Sequence, residues 1–216
     1  MCGRYSMTKK QLRIESRFET LELNFVPRFN IAPTQECTVV RVVGGKLEAS
    51  QMIWGFRPAW SKAPIINAQA ESLHEKAIFS AAIRSRRCLV PADAFYEWRG
   101  SRTEKRPMRI GLQSEEPFYF AGLWAEPSDQ SAGRETFVLL TTAANSFMAT
   151  IHSRMPLILG LSECDRWLDA TDSDIGALLG EPAGLELKAV EVCSRVNNVR
   201  NDDEDCLSPP EQRDLF

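Results

Sequence analysis

Histidine is scarce in this chain: His74 and His152 are the only two in 216 residues. The six cysteines, at positions 2, 37, 88, 164, 193 and 206, are scattered, and none forms a C-x-x-C pair. So few imidazoles and no paired thiols argue against a zinc site, and no metal or other cofactor is expected. Scattered cysteines in a chain of this size do not suggest a disulfide framework, so a reducing cytoplasm is the expected compartment. No apolar run approaches the ~18–20 residues of a membrane span. The first residues hold no apolar signal region, so neither insertion nor secretion is expected. The G-x-S-x-G elbow, the H-E-x-x-H pair and the glycine-rich phosphate loop are all missing. Internal repeats and low-complexity linkers are missing too, which favours a single domain.

What is present is an ordinary globular composition, with 44% hydrophobic and 25% charged residues, enough apolar content to build a core. Charge is unevenly spread. Residues 1–110 carry 19 Lys+Arg against 10 Asp+Glu, and residues 111–216 carry 7 against 19. Either the basic half faces an anionic partner, or the halves fold together and neutralise one another. Both readings stay open at this point.

Thr8 and Gln11 have capping-box spacing ahead of Leu12, Ile14 and Phe18, which predicts a helix over 9–19. A β-branched run at 37–43, the turn Gly44-Gly45 and the stretch 46–54 predict a hairpin. The segment from Trp54 to Trp60 holds too much Gly and Pro for a regular element and reads as a loop. Short helices are predicted at 72–82 and 144–149, a helix from Ser162 to Leu168, and another from Asp172 to Leu179. Strands are predicted at 88–90, 94–99, 107–112, 117–124, 136–142, 156–159 and 185–192. Strands in hairpin-like runs indicate an α+β fold: a compact β-rich single domain of mainly antiparallel sheet, barrel-like, with flanking short helices. The domain is expected to span 1–196. Residues 197–216, acidic and holding Pro209-Pro210, are expected to be a poorly ordered tail.

Four residues carry chemistry. Cys2 is small, so removal of Met1 is expected. That would leave an amine and a thiol on adjacent carbons, a 1,2-aminothiol. The amine condenses with an aldehyde to an imine, and the thiolate closes on the imine carbon to a five-membered thiazolidine. An α-amino pKa of about 7.7–8.0 leaves unprotonated amine at neutral pH. A thiol near ~8.5 needs positive charge or a base, and Arg4 is the nearest cation in sequence. Taken alone, Cys2 reads rather as an accident of a terminal arm, and what favours chemistry lies further along the chain. Glu97 sits in the aromatic run Phe95-Tyr96-Glu97-Trp98, where alternation puts Phe95 and Glu97 on one face, Tyr96 and Trp98 on the other. A carboxylate on a buried face suits general acid–base work, while a Glu on an edge strand paired with arginine is the plain alternative. His152, ahead of an apolar strand, can carry protons near neutral pH or act structurally. Asn67, between Ile66 and Ala68, can hold a reacting group or cap a turn.

The ordered motifs Met1-Cys2-Gly3-Arg4, Asn30-Ile-Ala-Pro33, Trp54-Gly55 with Pro58 and Trp60, and Ile66-Asn67-Ala68 continue with Arg87-Cys88-Leu-Val-Pro91-Ala92, Phe95-Tyr96-Glu97-Trp98 and Ala121-Gly-Leu-Trp124. Thr141-Thr-Ala-Ala-Asn145 and His152-Ser-Arg154-Met-Pro156 complete the series. Over about residues 2–195 this chain resembles the SRAP family, named for SOS response-associated peptidases, whose best-known members sense abasic sites in single-stranded DNA. The resemblance implies that Cys2, as mature N-terminus, forms a thiazolidine with the ring-opened abasic sugar. It implies that Asn67 positions the amine, Glu97 handles protons and His152 assists at the sugar, with an associated lyase activity through the imine. It implies a basic cleft with Arg4, Trp54, Pro58, Trp60, Arg84, Arg86 and Arg154 as candidate DNA contacts. The expected partner is single-stranded DNA containing abasic sites, met by a monomer on the nucleoid if the source is bacterial. Two other readings are a thiol-dependent (auto)peptidase using Cys2 and a non-catalytic single-strand-binding module. Gln69 departs from the arginine that many relatives carry there, and His74 matches no motif.

Overall fold

The structure is a computed structural model and describes residues 2–101, 104–169, 176–180 and 185–210. The β-branched run at 36–43 forms the hairpin that its sequence predicts. Strand β5 (Glu36–Val43) pairs with β6 (Lys46–Trp54) in the register Val43↔Lys46 and Val40↔Ala49. The two turn residues, Gly44 and Gly45, have φ of 57° and 81°, the left-handed region that a two-residue hairpin turn requires.

Three further strands are almost wholly buried and read as apolar runs: β8 (Arg87–Ala92), β11 (Phe118–Ala125) and β12 (Thr136–Ala143). They join the hairpin in a larger sheet through the pairings β12–β6–β5–β8–β11–β12. The circuit returns on itself, but two seams are thin: β5 meets β8 only at Val40↔Leu89, and β12 meets β6 at two positions. It is therefore a ring short of a true barrel. The short strands β7 (Asn67–Gln69), β13 (Arg154–Pro156) and β14 (Ile158–Leu159) extend it. Thr141 of β12 pairs with Gln69 on one side and Pro156 on the other.

The second sheet has the order β15-β10-β9-β1-β4. Its strands are β1 (Tyr5–Met7), β4 (Arg28–Ile31), β9 (Ala94–Ser101), β10 (Glu104–Leu112) and β15 (Leu187–Glu191). Strand β1 thus threads the start of the chain between β4 and β9. Asp93 holds it there, accepting hydrogen bonds from Ser6 Oγ at 2.7 Å and Arg109 at 3.0 Å. The space between the sheets is an apolar cluster that includes Cys2, Tyr5, Trp54, Phe95, Phe120 and Phe137. Tyr5 meets Phe120 edge-on, with centroids 5.7 Å apart at 83°, a favoured aromatic arrangement.

Several expected elements differ. Residues 11–24 form not a helix but a hairpin, β2 (Gln11–Glu15) with β3 (Thr20–Asn24). Leu12 and Ile14 alternate with polar residues, a period of two that a sheet face takes up. Thr8 donates to Asp93 instead of capping a helix. The helix expected at 72–82 is a 3₁₀ turn at Ala70–Ser72 followed by α1 (Ala77–Ser80) and α2 (Ala82–Ser85). That expected at 144–149 is a 3₁₀ turn at Met148–Thr150, with Asn145 Oδ1 accepting from Met148 N–H at 2.9 Å. Helix α3 (Leu161–Asp169) forms, and its Trp167 Nε1 donates to Cys88 O at 2.9 Å. The helix expected at 172–179 falls largely outside the described residues. The tail expected from Asn197 is instead folded onto β4 through residue 210, because its polar groups satisfy buried ones: Asp202 Oδ1 accepts from Phe29 N–H at 2.6 Å and Asn30 N–H at 2.8 Å. Residues 211–216 lie outside the described set.

Candidate functional site

Cys2 is fully buried at the junction of the two sheets. Asn67 opens β7, and its Nδ2 donates to Cys2 O at 2.8 Å. Among the described residues Asn67 Oδ1 has no hydrogen-bond partner, although it is buried. The Cys2 thiol lies 3.7 Å from Arg4 O. Burial pushes this thiol far above its ordinary value, the negative charge of Glu97 adds to that, and a backbone hydrogen bond at Arg4 pulls against both. Glu97 is 5% exposed and sits on β9 opposite Met108 of β10. Phe95 joins the inner cluster with Cys2, while Tyr96 and Trp98 belong to a separate outer cluster with Val196. The alternation read from the sequence therefore holds. Cys2, Asn67 and Glu97 are brought together from β7, β9 and the arm before β1.

His152 follows the 3₁₀ turn, and its backbone N–H donates to Met148 O at 2.8 Å. Its Nδ1 is 3.0 Å from Arg154 N and 3.1 Å from Arg154 O. The tautomer with its proton on Nε2 accepts from Arg154 N–H at Nδ1, and the one with its proton on Nδ1 donates to Arg154 O. Arg154 itself grips the carboxylate of Glu71 in a two-pronged pair, 2.6 and 2.9 Å, and donates to Thr141 O at 2.7 Å. The hydrogen bond from Arg154 holds the Glu71 carboxyl below its usual range.

The candidate DNA contacts divide sharply. Trp54 is not on a groove: it is fully buried, stacked on Phe137 with centroids 6.3 Å apart, and its Nε1 donates to Ile66 O at 2.9 Å. As the last residue of β6 it points into the core. Arg4 is not a phosphate ligand either. Its guanidinium is buried and donates to Asn30 Oδ1 at 2.7 Å and Val196 O at 2.6 Å. It acts on the Cys2 thiol through its backbone.

Trp60, by contrast, is 74% exposed, with Pro58 half-buried beside it. The loop carrying them is pinched by the bridge Phe56↔Ile65, two residues before Asn67. Gly55, at φ 125°, lets the chain turn there, and a Cβ would lie 2.8 Å from Pro64 Cβ. Phe56 packs on Phe79 of α1, centroids 6.1 Å apart, which seats α1 and α2 at the root of this loop. Arg84 on α2 is exposed and Arg86 just after it is half-buried. Part of the basic excess is consumed by pairs between the halves of the chain, Arg17–Asp169, Arg28–Asp202 and Arg41–Glu135.

Glu71, Asn30 and Asp202 carry weight that sequence reasoning missed. Asn30 stood within a quoted motif, so its burial had a signal. Asp202 lay in an acidic run and had none. Among the described residues no three His, Cys, Asp or Glu converge as a metal site, and none of the helices is long and apolar enough to cross a membrane.

The family model for SOS response associated peptidase (SRAP) matches residues 1–199. The chain is 34% identical to the abasic site processing protein YoaM of Bacillus subtilis, over 96% of this chain and 97% of that one. It is 25% identical to the abasic site processing protein YedK of Escherichia coli, over 97% of this chain and 100% of that one. Among solved structures, a phage-related protein from Bordetella bronchiseptica superposes with a TM-score of 0.72 at 26% identity, covering 88% of this chain and 94% of that one.

Proposed function

The chain belongs to the SOS response associated peptidase (SRAP) family, and from that premise we propose that it processes abasic sites in single-stranded DNA by linking itself to them through Cys2. The observation that carries this reading is the convergence of Asn67 and Glu97 on Cys2.

Removal of Met1 turns the Cys2 nitrogen into a primary amine. The amine attacks C1′ of the ring-opened sugar, and the carbinolamine loses water to give an imine. The thiol sulfur then bonds to C1′, the C=N electron pair moves to nitrogen, and the thiol proton ends on that nitrogen. The sum is aldehyde plus aminothiol giving thiazolidine plus water. Glu97 is the carboxylate placed to carry the proton from sulfur to nitrogen, a task for a general acid–base group. Asn67 fixes the Cys2 carbonyl through Nδ2, and its buried Oδ1 is an acceptor for the reacting amine. His152 has Nδ1 engaged at Arg154, so proton transfer at the sugar falls to Nε2. If the imine loses a C2′ proton before sulfur closes on it, the 3′ phosphate is eliminated, which is the lyase outcome.

The raised thiol favours this order over a peptidase. A thiol peptidase attacks as thiolate, which needs a depressed pKa; here burial and Glu97 act the other way. The amine goes first, and the sulfur follows within the same residue, where proximity replaces acidity.

Trp60, Pro58, Arg84, Arg86 and Arg154 are the proposed strand contacts, combining stacking with backbone charge. Gln69, beside Thr141, carries no charge, and Arg154, which donates to Thr141 O, supplies one once phosphate displaces Glu71.

Intact-mass analysis after incubation with a single strand bearing one abasic site tests the reading. The expected product is protein lacking Met1, joined to one oligonucleotide with loss of one water. A residue inserted before Cys2 should abolish it. Stable linkage by protein that retains Met1 would refute the aminothiol mechanism.

A further inference from the structure

We propose that the C-terminal arm, residues 194–207, is a brace that positions Cys2 for its chemistry, with Asp202 and Asn30 as positioning residues acting through Arg4; the proposal rests on the role given to Cys2 above. The arm includes residues beyond the stretch 1–199 matched by the family model.

Glu97 lies on the inner side of the second sheet, Cys2 just before its strand β1, and the C-terminal arm covers the outer side. Tyr96 and Trp98, the outward residues of β9, pack with Val196 of the arm. Trp98 Nε1 donates to Asn197 Oδ1 at 2.7 Å, and the Tyr96 hydroxyl donates to Phe29 O at 2.7 Å. Asn30 is fully buried, and its Nδ2 reaches Val196 O at 3.2 Å, Asn198 O at 3.1 Å and Asn201 O at 2.6 Å. Asp202 accepts from the backbone N–H groups of Phe29 and Asn30 and pairs with Arg28. These bonds lock the arm to β4 and leave Asn30 Oδ1 and Val196 O side by side as acceptors for Arg4.

Arg4 is thereby fixed at both ends. Its guanidinium is held by the arm, and its carbonyl accepts from Tyr96 N–H at 2.9 Å. That same carbonyl is the neighbour of the Cys2 thiol. A residue two positions from the nucleophile, clamped at side chain and backbone, removes rotational freedom from the terminal arm. Chain ends are otherwise poorly ordered, and a displacement of ~1 Å costs about 100-fold in rate when the reacting groups must meet.

The test uses the full-length protein with Asp202→Ala and Asp202→Asn. Asn keeps an acceptor for the two backbone N–H groups and loses only the charge facing Arg28. Three quantities are read: affinity for an intact single strand, linkage rate at saturating abasic DNA, and alkylation rate of Cys2 by iodoacetamide, followed by mass spectrometry without DNA. Asp202→Ala should slow saturating linkage by ~10–100-fold, leave strand affinity unchanged and speed alkylation as the buried thiol becomes accessible. Asp202→Asn should recover most of the rate. If Asp202→Ala fails to fold, Trp98→Phe removes the bond to Asn197 alone and should give a smaller defect of the same pattern. Wild-type linkage and alkylation rates in the folded variants overturn the brace. Alkylation that responds to Asp202 in a protein that never links abasic DNA upholds the brace and overturns the proposed function instead.

Discussion

Two tryptophans six positions apart should fail in opposite ways. Trp54 is fully buried between Tyr5 and Phe137, with ring centroids 5.3 and 6.3 Å away. Truncating a buried aromatic to alanine costs ~3–5 kcal/mol, and part of that here is the indole bond to Ile66 O. For a chain of this size each kcal/mol moves Tm by ~2–4 °C, so Trp54→Ala should melt about 6–20 °C lower. The fraction that remains folded should bind a single strand as the wild type does. Trp60 is 74% exposed and supports no core. Trp60→Ala should leave Tm within ~1–2 °C, since surface changes are usually worth less than ~0.5 kcal/mol. If its ring is a stacking platform, binding should fall by ~1–3 kcal/mol, a Kd about 5- to 150-fold weaker. Thermal unfolding by circular dichroism and fluorescence anisotropy with an unmodified single strand, both at one fixed salt concentration, measure the two effects. A Trp54→Ala protein with wild-type Tm refutes the core assignment. A Trp60→Ala protein with wild-type affinity removes the loop from the DNA interface.

Two other outcomes are expected. Glu97→Gln should keep fold and strand affinity, slow linkage at saturating abasic DNA by ~10²–10⁴-fold, and modestly speed iodoacetamide alkylation of Cys2, because burial still raises the thiol but the added push of the Glu97 charge is gone; equal linkage rates would make Glu97 structural and move proton transfer to His152. Replacing Arg84 and Arg86 with Gln should weaken all single strands alike and lower the salt slope by ~0.7 per lost phosphate contact, and an unchanged slope in a salt titration would place the groove elsewhere.

What could be read from the sequence, and what could not, follows the range of the interactions. The β5–β6 hairpin was legible because its signal is local: a β-branched run, then Gly44-Gly45. The faces of β9 were legible because alternation has a period of two. The 9–19 segment was misread because capping-box spacing at Thr8 competed with alternation at Leu12 and Ile14, and the sheet pairing with residues 20–24 decided it. Arg4 and Trp54 were misread for a different reason. A cation beside a nucleophile and a tryptophan beside glycine both look like ligand contacts in one dimension. The partners of Arg4 stand 26 and 192 positions away. The acidic composition of the arm predicts disorder, yet Asp202 accepts from the backbone N–H groups of Phe29 and Asn30, where its charge strengthens the bonds.

If Cys2 acts as proposed, a buried residue with a raised thiol is poor design for attack on a peptide and good design for the proposed ring closure. Exposed, low-pKa thiols are the ones that oxidise and alkylate. Cys2 is kept out of that chemistry by burial and by Glu97, the same carboxylate that would accept its proton. The two demands conflict only if sulfur must act first. With the amine leading, the imine presents its electrophilic carbon next to the sulfur, and attack needs no standing population of thiolate. In the proposed order the proton would pass from sulfur to the nitrogen that has just become basic, with Glu97 as the proposed carrier. On the proposed mechanism, a thiol held this way would be shielded from solvent reagents and would react once an aldehyde had condensed with its own residue. Selectivity for an aldehyde-bearing strand would then come from the order of steps as much as from the groove that binds it.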